Sequence, residues 1–320
     1  MSHLSEKHFH DEAAAYRFVE ARIWAGGVTC PHCGNADAKR IGKLKGKSTR
    51  MGVHKCYECR KPFTVKIGTV FESSHVKLNV WLQAIFLIAS SKKGISTQQL
   101  HRTLGVTLKT AWFMSHRIRE AMRDGGLAPL GGAGSIVEAD ELYYGPVANP
   151  VLTRTDGTPR KYKAKGPSNK RAILGLVERG GMVRTFHVAQ ATKENVAKLV
   201  AENVHAESKL FTDESRLYTE IGKTFTDHQT TKHSAGEYVR YEGGETIHSN
   251  TIENVFSVFK RGMRGIYQHC DEKHLHRYLS EFSFRYNHRV GLGIGDVARA
   301  NSILTGAVGK RLTYETTRSR

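Results

Sequence analysis

Two C-x-x-C pairs near the amino terminus constrain the fold of this chain more than any other feature. The pairs are Cys30–Cys33 and Cys56–Cys59, and 22 residues separate them. Zinc binds four thiolate or imidazole ligands in a tetrahedron, and each pair can supply two of them from one turn. A segment this short has little core of its own and depends on the metal to fold. We therefore predict a structural Zn²⁺ site at all four cysteines, since the redox-active alternative lacks a thioredoxin-like context.

The net charge of the chain indicates a polyanionic partner. Lys and Arg number 49 against 30 Asp and Glu, which gives a formal charge of +19. Nucleic acid is the first candidate and an anionic membrane the second. The longest apolar stretch, Val80–Ala89, is too short to cross a bilayer, and the amino-terminal segment has no apolar signal region. We therefore expect DNA as the partner and no membrane partner; a basic protein without a polyanionic partner is the alternative.

A Gly-rich segment, 126–135, separates two regions of different character, and we predict it to be a linker. Before it, residues 1–75 carry the cysteines and residues 76–125 have helical patterns. After it, in residues 136–295, short apolar runs alternate with helical patterns, which predicts an α/β (α+β) fold with a mixed sheet. Residues 296–320 are predicted to be a C-terminal tail.

The helical region before the linker is a candidate helix-turn-helix. Ser96 and Thr107 can each cap a short helix, and Gly105 lies at the turn between them. Lys109 and Thr110 would then lie at the exposed start of the second helix, which is the part of a recognition helix that enters the major groove. We predict that both contact DNA; a plain helical hairpin is the alternative.

A long basic loop, 146–171, connects the first two predicted strands. It has no apolar periodicity, and a connection of this length is usually functional or disordered. A solvated charge run is one interpretation, and a clamp on the DNA backbone is the other. The loop residues that we predict to contact DNA are Arg160, Lys161, Lys163 and Lys165.

Three carboxylates lie where a strand, a strand end and a helix would present them. Asp140 falls in an apolar run, Asp213 ends another, and Glu253 begins an amphipathic helix. Period-two alternation puts Glu138 on the face of Asp140 and Glu141 on the opposite face. Each acid by itself is an ordinary surface residue, but together in so basic a chain they predict a site for Mg²⁺ or Mn²⁺. Two such ions about 4 Å apart can activate an attacking oxygen and stabilise a leaving one.

The helix around Glu253 carries a polar stripe beside its apolar face. At about 100° per residue, Lys260 and Arg264 share this stripe with Glu253. We predict that Glu253 binds the catalytic metal and that Lys260 and Arg264 hold phosphates. Asn250 lies one turn earlier and is an alternative ligand. A cap at the start of the helix would come from Ser249 or Thr251. The apolar face consists of Ile252, Val255, Phe256, Phe259 and Met263.

Taken together, these motifs resemble a known family. A zinc ribbon, a helix-turn-helix, and then V-E-A-D-E-L-Y-Y-G, T-D-E-S and H-S-N-T-I-E-N-V-F-S-V-F-K-R-G-M-R-G-I-Y are similar to bacterial insertion-sequence transposases of the DDE superfamily. The matching subgroup carries a zinc ribbon and an RNase H-like core. The continuation L-H-R-Y-L-S-E-F-S-F-R-Y-N-H-R resembles that family's final helix, so the likeness spans residues 22–290.

The resemblance implies an RNase H-like mixed sheet flanked by helices and preceded by a small zinc ribbon and a helix-turn-helix. It implies Mg²⁺-dependent cleavage and transfer of DNA strands, with Asp140 as the first acid and Asp213 as the second. The third position holds either an asparagine or a glutamate followed by a lysine, so Asn250 and Glu253 both qualify. The seven-residue step to Lys260 and the stronger metal affinity of a carboxylate favour Glu253.

The function expected from residues and resemblance is that of a DNA transposase. It would cleave element ends at the terminal inverted repeats and join them to a target site by two-metal phosphoryl transfer, acting as a homo-oligomer in the bacterial cytoplasm at the nucleoid. Two alternatives stay open. One is a zinc and helix-turn-helix DNA-binding regulator with an inactive nuclease-like body, and the other is an Mg²⁺-dependent nuclease that hydrolyses without joining.

Overall fold

The chain forms two compact units in the computed structural model, which describes residues 2–147, 157–158 and 169–313. The first unit combines Met1–Arg123 with His288–Arg320, and the second is Asp124–Asn287.

The first unit begins with a helix and a small antiparallel sheet. Helix α1 covers Glu12–Ile23, and the strands are β1 (Ile41–Lys43), β2 (His54–Cys56) and β3 (Pro62–Phe63), in the order β1-β2-β3. The ring of Trp24 packs edge-on against His54 and Phe63. This minimal aromatic core lies beside the cysteines, as expected of a zinc ribbon.

Three helices follow the ribbon: α2 (Leu78–Ser90), α3 (Thr97–Leu104) and α4 (Leu108–Ala121). The predicted caps of α3 and α4 are confirmed. The Ser96 hydroxyl accepts a hydrogen bond from the Gln99 amide at 3.1 Å. The Thr107 hydroxyl accepts one from the Thr110 amide at 3.2 Å. Gly105 ends α3 with a left-handed φ of 66°, a conformation that glycine adopts without steric cost.

The second unit is built on a five-stranded mixed sheet. Its strands are β4 (Ile136–Pro146), β5 (Lys170–Glu178), β6 (Val183–Val188), β7 (Lys209–Asp213) and β8 (Asp227–Thr231). They lie in the order β6-β5-β4-β7-β8, with β4 to β6 antiparallel and with β7 and β8 parallel to β4. This is the RNase H-like mixed sheet that was expected. The sequence does not predict β8, because its residues D-H-Q-T-T contain no apolar run.

Helices cover both faces of this sheet. Helices α5 (Lys193–Asn203) and α6 (Thr219–Gly222) pack on one face. A hairpin of β9 (Arg240–Glu242) and β10 (Glu245–Ile247) then leads into α7 (Asn250–Gly262), which packs with α8 (Leu275–Asn287) on the other face. The apolar face predicted for α7 is buried there, and it consists of Ile252, Val255, Phe256, Phe259 and Met263.

The Gly-rich segment 126–135 does not act as a free linker, which corrects the prediction. It belongs to the second unit, where Leu130 is buried against Val196 and Val200 of α5. The Leu130 amide also donates a hydrogen bond to the carbonyl of Asn203 at 2.7 Å. Burial of this leucine fixes the segment against the domain that follows it.

Residues 296–320 were predicted to be a C-terminal tail, but the first ten of them form a helix. Asp296–Thr305 form helix α9, which packs on α1, α2 and α4 of the first unit. Ile303 and Leu304 are buried, and Arg299 donates a hydrogen bond to the Ala89 carbonyl of α2 at 2.9 Å. An apolar face therefore makes residues 296–305 part of the core of the first unit.

Helix α7 lies very close to the sheet at Gly175, which pairs with Asp140 across β4 and β5. A Cβ atom at this position would lie 2.7 Å from Ile252 Cδ1 and 2.7 Å from Phe256 Cζ. Both side chains are buried, so neither has free space to move into. The missing side chain at Gly175 therefore allows α7 to lie close to β5, at the residue that pairs with Asp140 of β4.

We expect Gly175→Ala to lower the free energy of unfolding by about 1–3 kcal/mol, because the added methyl overpacks this contact. Urea unfolding of the variant measures the loss. Ile252→Val removes the nearest δ-methyl and should recover part of the loss when both changes are combined. Strictly additive effects in this double-mutant cycle would show that the two positions do not clash.

Candidate active site

The four cysteines of the ribbon converge on one point. Their sulfur atoms all lie within 4.8 Å of one another, and the Cys30–Cys59 and Cys33–Cys56 sulfur pairs are each 3.7 Å apart. A tetrahedral zinc ion with Zn–S bonds of about 2.3 Å requires sulfur atoms roughly 3.8 Å apart. The cluster therefore fits a structural Zn²⁺ ion, as the spacing of the pairs predicts.

The second cluster consists of carboxylates from neighbouring strands. β4 and β7 run parallel with Glu138 opposite Phe211, so Asp140 and Asp213 lie level with each other two residues further on. The side-chain oxygens of Asp140, Glu141 and Asp213 all lie within 4.8 Å of one another. Asp213 is oriented by the Ser215 amide, which donates to its carboxylate at 3.0 Å. The structure thus brings together the first two predicted acids and adds Glu141.

Burial and mutual repulsion destabilise the ionised carboxylates of this cluster when no cation is bound. Burial, followed by the charges of Asp213 and Glu141, raises the pKa of Asp140 from 3.8 to about 8. Burial and the charge of Asp213 raise the pKa of Glu141 from 4.5 to about 7. Neither carboxyl has a Lys or Arg among the groups that shift its pKa. A divalent cation would supply the missing positive charge, so the donor set fits such an ion.

Glu253 approaches the cluster from α7 but lies outside the group of oxygens within 4.8 Å of one another. Its carboxylate is about half exposed and lies 3.5 Å from Nδ1 of His233, yet it still contributes to the raised pKa of Asp140. Asn250 is exposed, and its backbone amide donates to His248 Nδ1 at 3.2 Å. The choice between Glu253 and Asn250 as the third ligand therefore stays a prediction.

The other two residues of the polar stripe lie further along the same helix. Lys260 is partly exposed in the last turn of α7. Arg264 is exposed, but it lies in a π-helical segment, Met263–Tyr267, that follows α7. A π turn changes the angle between successive residues. The single stripe predicted from an ideal helix therefore ends before Arg264.

Glu138, for which the sequence alone indicates no function, holds the start of α7. Its carboxylate is fully buried and accepts hydrogen bonds from the Thr251 amide at 2.8 Å and the Ile252 amide at 3.1 Å. The Thr251 hydroxyl and Arg179 Nε also donate to it, at 2.8 Å and 2.6 Å. The predicted side-chain cap from Ser249 or Thr251 is therefore wrong. A carboxylate from β4 caps the helix, and a pairing between residues so distant in sequence has no local signal.

We expect Glu138→Gln to lower the free energy of unfolding by about 2–4 kcal/mol, because it leaves the half-buried guanidinium of Arg179 and a helix start without their anion. Chemical denaturation of the full chain measures this loss. Glu220→Gln is the matched control, since Glu220 pairs with Lys223 at the exposed surface and its loss should leave stability nearly unchanged. Equal effects of the two substitutions would contradict the capping role of Glu138.

The predicted DNA-binding residues fall in different parts of the chain. Lys109 is exposed in the first turn of α4, and the Thr110 hydroxyl lies 2.9 Å from the Thr107 hydroxyl. Arg171, at the end of the predicted basic loop, is instead buried in β5, where it donates to the carbonyls of Pro146 and Cys270. The loop residues Arg160, Lys161, Lys163 and Lys165 lie outside the described residues.

Comparison with known families identifies two domains, and each of them contains one of the two clusters. Residues 10–62 match the transposase zinc-ribbon domain, and residues 129–287 match the ISXO2-like transposase domain. The chain belongs to the ISXO2-like transposases. Together the two matches cover about two thirds of the chain, and they include the cysteine cluster and the carboxylate cluster. The insertion-sequence, DDE-type identity that the motifs indicated is confirmed, and neither alternative function is favoured.

The chain is also similar to one protein of a transposable element and to two solved structures. It is 26% identical over 289 residues to an uncharacterized protein in transposable element ISH50 of Halobacterium salinarum, covering 87% of this chain and 92% of that protein. Among solved structures, a pre-cleavage Mos1 transpososome matches with 12% identity, 72% and 79% coverage and a TM-score of 0.26. The Mos1 strand transfer complex matches with 9% identity, 73% and 78% coverage and the same TM-score.

None of the helices in the described part of this transposase is long and apolar enough to cross a membrane.

Proposed function

We propose that this transposase cuts DNA at the ends of its element and joins the freed 3′ ends to target DNA, with Mg²⁺ or Mn²⁺ bound at Asp140, Asp213 and Glu253. One observation carries the proposal: Asp140 within β4 and Asp213 at the end of the parallel strand β7 hold side-chain oxygens within 4.8 Å of each other, and no Lys or Arg is among the groups that shift the pKa of Asp140. Two partly buried carboxylates held this close together are costly for the fold unless a metal binds them.

Each residue of the site has a stated part in this chemistry. Asp140 and Asp213 hold the metal, and Glu253, with Asn250 as the alternative, completes the site from α7. When bound, two divalent ions lower the pKa of an attacking water or 3′-OH and neutralise charge on the leaving oxygen. Lys260 and Arg264 orient the phosphates of the strand that reacts. Because phosphoryl transfer needs an in-line approach, this positioning accounts for much of the rate.

Binding of the element ends is assigned to the first unit and to the basic loop. We propose that Lys109 and Thr110 read the terminal inverted repeats in the major groove, while Arg160, Lys161, Lys163 and Lys165 contact the backbone. The zinc ribbon supports the first unit on the same DNA. We further propose that the protein acts in the bacterial cytoplasm as a homo-oligomer that holds two ends, which light scattering of the protein with and without end DNA tests.

The decisive experiment supplies the protein with element ends that carry a 3′-OH and with a supercoiled target plasmid. A product in which end DNA is joined to the plasmid in Mg²⁺ or Mn²⁺ supports a transposase. This product should be absent when the plasmid is supplied without end DNA. Hydrolysed ends without any joined product would identify a nuclease. Bound but uncut DNA under every metal would identify a regulator. Joined DNA, hydrolysed DNA and uncut DNA thus distinguish the transposase, the nuclease and the regulator.

A further inference from the structure

Glu141 has no role in a site made of Asp140, Asp213 and Glu253, yet it belongs to the tightest group of oxygens in the second unit. It lies on β4 directly after Asp140, and its side chain leaves the strand on the opposite face. Asp213 ends the neighbouring strand and is reached by both acids. The group of oxygens within 4.8 Å of one another therefore contains Glu141, whereas Glu253 lies outside it.

A fully buried tyrosine faces the same acids. Tyr218 lies at the start of α6 with no exposed surface, in the core between α5, α6 and the sheet. Burial, followed by the charges of Glu141, Asp140 and Asp213, raises the pKa of its hydroxyl well above the usual value. This hydroxyl therefore points into the acid cluster from the side opposite α7.

Two polar atoms in this place have no hydrogen-bond partner of acceptable geometry among the described residues. They are Oε1 of Glu141 and the hydroxyl of Tyr218, and both are shielded from solvent. Buried polar atoms in proteins are almost always paired with protein, water or an ion. A cation beside these carboxylates would satisfy Oε1 of Glu141, while the Tyr218 hydroxyl lies near enough to the Glu141 carboxylate to interact with it directly.

The chemistry of that group follows from charge. Neither Asp140 nor Glu141 has a Lys or Arg among the groups that shift its pKa, whereas the buried Glu138 nearby is paired with Arg179. Three carboxylates and a phenol are hard oxygen donors. Such a set suits a hard divalent cation and its water molecules.

We propose that Glu141 supplies a third carboxylate oxygen to the divalent cation held by Asp140 and Asp213, and that Tyr218 positions Glu141 for this contact. The inference rests on the proposed function, because it concerns the same metal. It goes beyond that function in one respect: in the DNA-free protein the cation is held by carboxylates of β4 and β7, with Tyr218 before α6 positioning Glu141, and α7 does not contribute.

The test measures Mn²⁺ binding to the zinc-loaded full chain without DNA, by electron paramagnetic resonance of free Mn²⁺. Glu141→Gln keeps the shape of the side chain and removes its charge. We expect it to weaken Mn²⁺ binding on the order of 100-fold, whereas Glu253→Gln should weaken it less than about threefold. Glu141→Asp keeps the charge on a shorter side chain and should bind Mn²⁺ with an affinity between those of the wild type and Glu141→Gln. Unchanged zinc content and circular dichroism show that each variant is folded.

Tyr218→Phe tests the positioning role, since it removes only the hydroxyl. We expect about tenfold weaker Mn²⁺ binding, in the range observed when an outer-sphere partner of a metal ligand is lost. A merely structural tyrosine would leave both the Mn²⁺ affinity and the spectrum of the bound ion unchanged. Wild-type affinity in this variant therefore overturns the part of the inference that concerns Tyr218.

Asp140→Asn separates failure of this inference from failure of the proposed function. If Asp140→Asn loses Mn²⁺ while Glu141→Gln binds it with wild-type affinity, Glu141 is not a ligand and the proposed function stands. If neither substitution changes Mn²⁺ binding, both are overturned. Loss of binding in both, with Glu253→Gln retaining it, supports the assignment of Glu141.

Discussion

Asp140→Asn is expected to reduce strand cleavage and strand joining by at least about a thousandfold, which corresponds to about 4 kcal/mol of transition-state stabilisation. Asp140 belongs to the acid cluster, since it offers an oxygen within 4.8 Å of both Glu141 and Asp213, and its pKa also responds to Glu253. An amide keeps the shape but carries no charge to hold a cation. Binding of end DNA should stay within about threefold of the wild type, because affinity for DNA comes chiefly from phosphate contacts made elsewhere.

Gel assays of cleavage and joining, together with a DNA-binding titration, measure both parts of this prediction. Asp271→Asn is the matched control, since Asp271 is exposed at a site remote from the cluster in sequence. It should retain wild-type cleavage. A variant at Asp140 that still joins ends at more than a tenth of the normal rate would contradict the assignment of the site.

Asp140→Asn, which is expected to abolish activity, should stabilise the fold at pH 8 in the absence of catalytic metal. Because the pKa of Asp140 rises from 3.8 to about 8 in the folded state, the folded protein binds more protons than the unfolded chain between these values. Stability therefore falls as the pH rises from about 4 to 8. Asp140→Asn should flatten this part of the profile and raise the melting temperature at pH 8, measured on zinc-loaded protein without Mg²⁺. A steeper fall in the variant would show that ionisation of Asp140 is not the cause.

Removal of zinc is expected to unfold the ribbon, because zinc binding in such small units supplies about 10–16 kcal/mol of folding free energy. The strands of the ribbon contain two or three residues each, and its core clusters around Cys30, Cys56 and Phe63. We expect Cys56→Ala to lower the zinc content from one ion per chain to nearly none and to abolish specific binding of end DNA. Metal analysis and a DNA-binding titration measure the two effects.

Cys270→Ser provides the matched control for this prediction. Cys270 lies in the second unit and is only partly buried. The substitution should leave one zinc ion per chain and normal DNA binding. If Cys56→Ala retains its zinc, or if both variants lose it equally, the four-cysteine site is wrong.

Features with a local pattern could be predicted from the sequence. Paired cysteines specify a zinc site through their spacing, and alternating apolar runs specify β4 to β7. The caps at Ser96 and Thr107 depend on a residue only three positions away. In each case the pattern that specifies the feature lies within short stretches of the chain, so periodicity and spacing were sufficient.

Features that depend on distant partners could not be predicted. The cap of α7 comes from Glu138, 113 residues before Thr251. Glu141 joins the acids because Asp213 ends the adjacent parallel strand, although alternation alone assigns it to the other face. The polar strand β8 exists because β7 offers a free edge to pair with. In each of these cases tertiary contacts decide the outcome, and the local sequence contains no trace of them.

The hydrogen bonds from Thr251 and Ile252 to Glu138 also determine when the site can assemble during synthesis. The ribosome makes β4 more than a hundred residues before α7. Glu138 therefore has no amide partners until residue 252 has left the ribosome. Contacts of such long sequence separation form late in folding. A growing or prematurely ended chain that lacks α7 therefore contains Asp140 and Asp213 but leaves the carboxylate of Glu138, which is buried in the folded chain, without its amide partners.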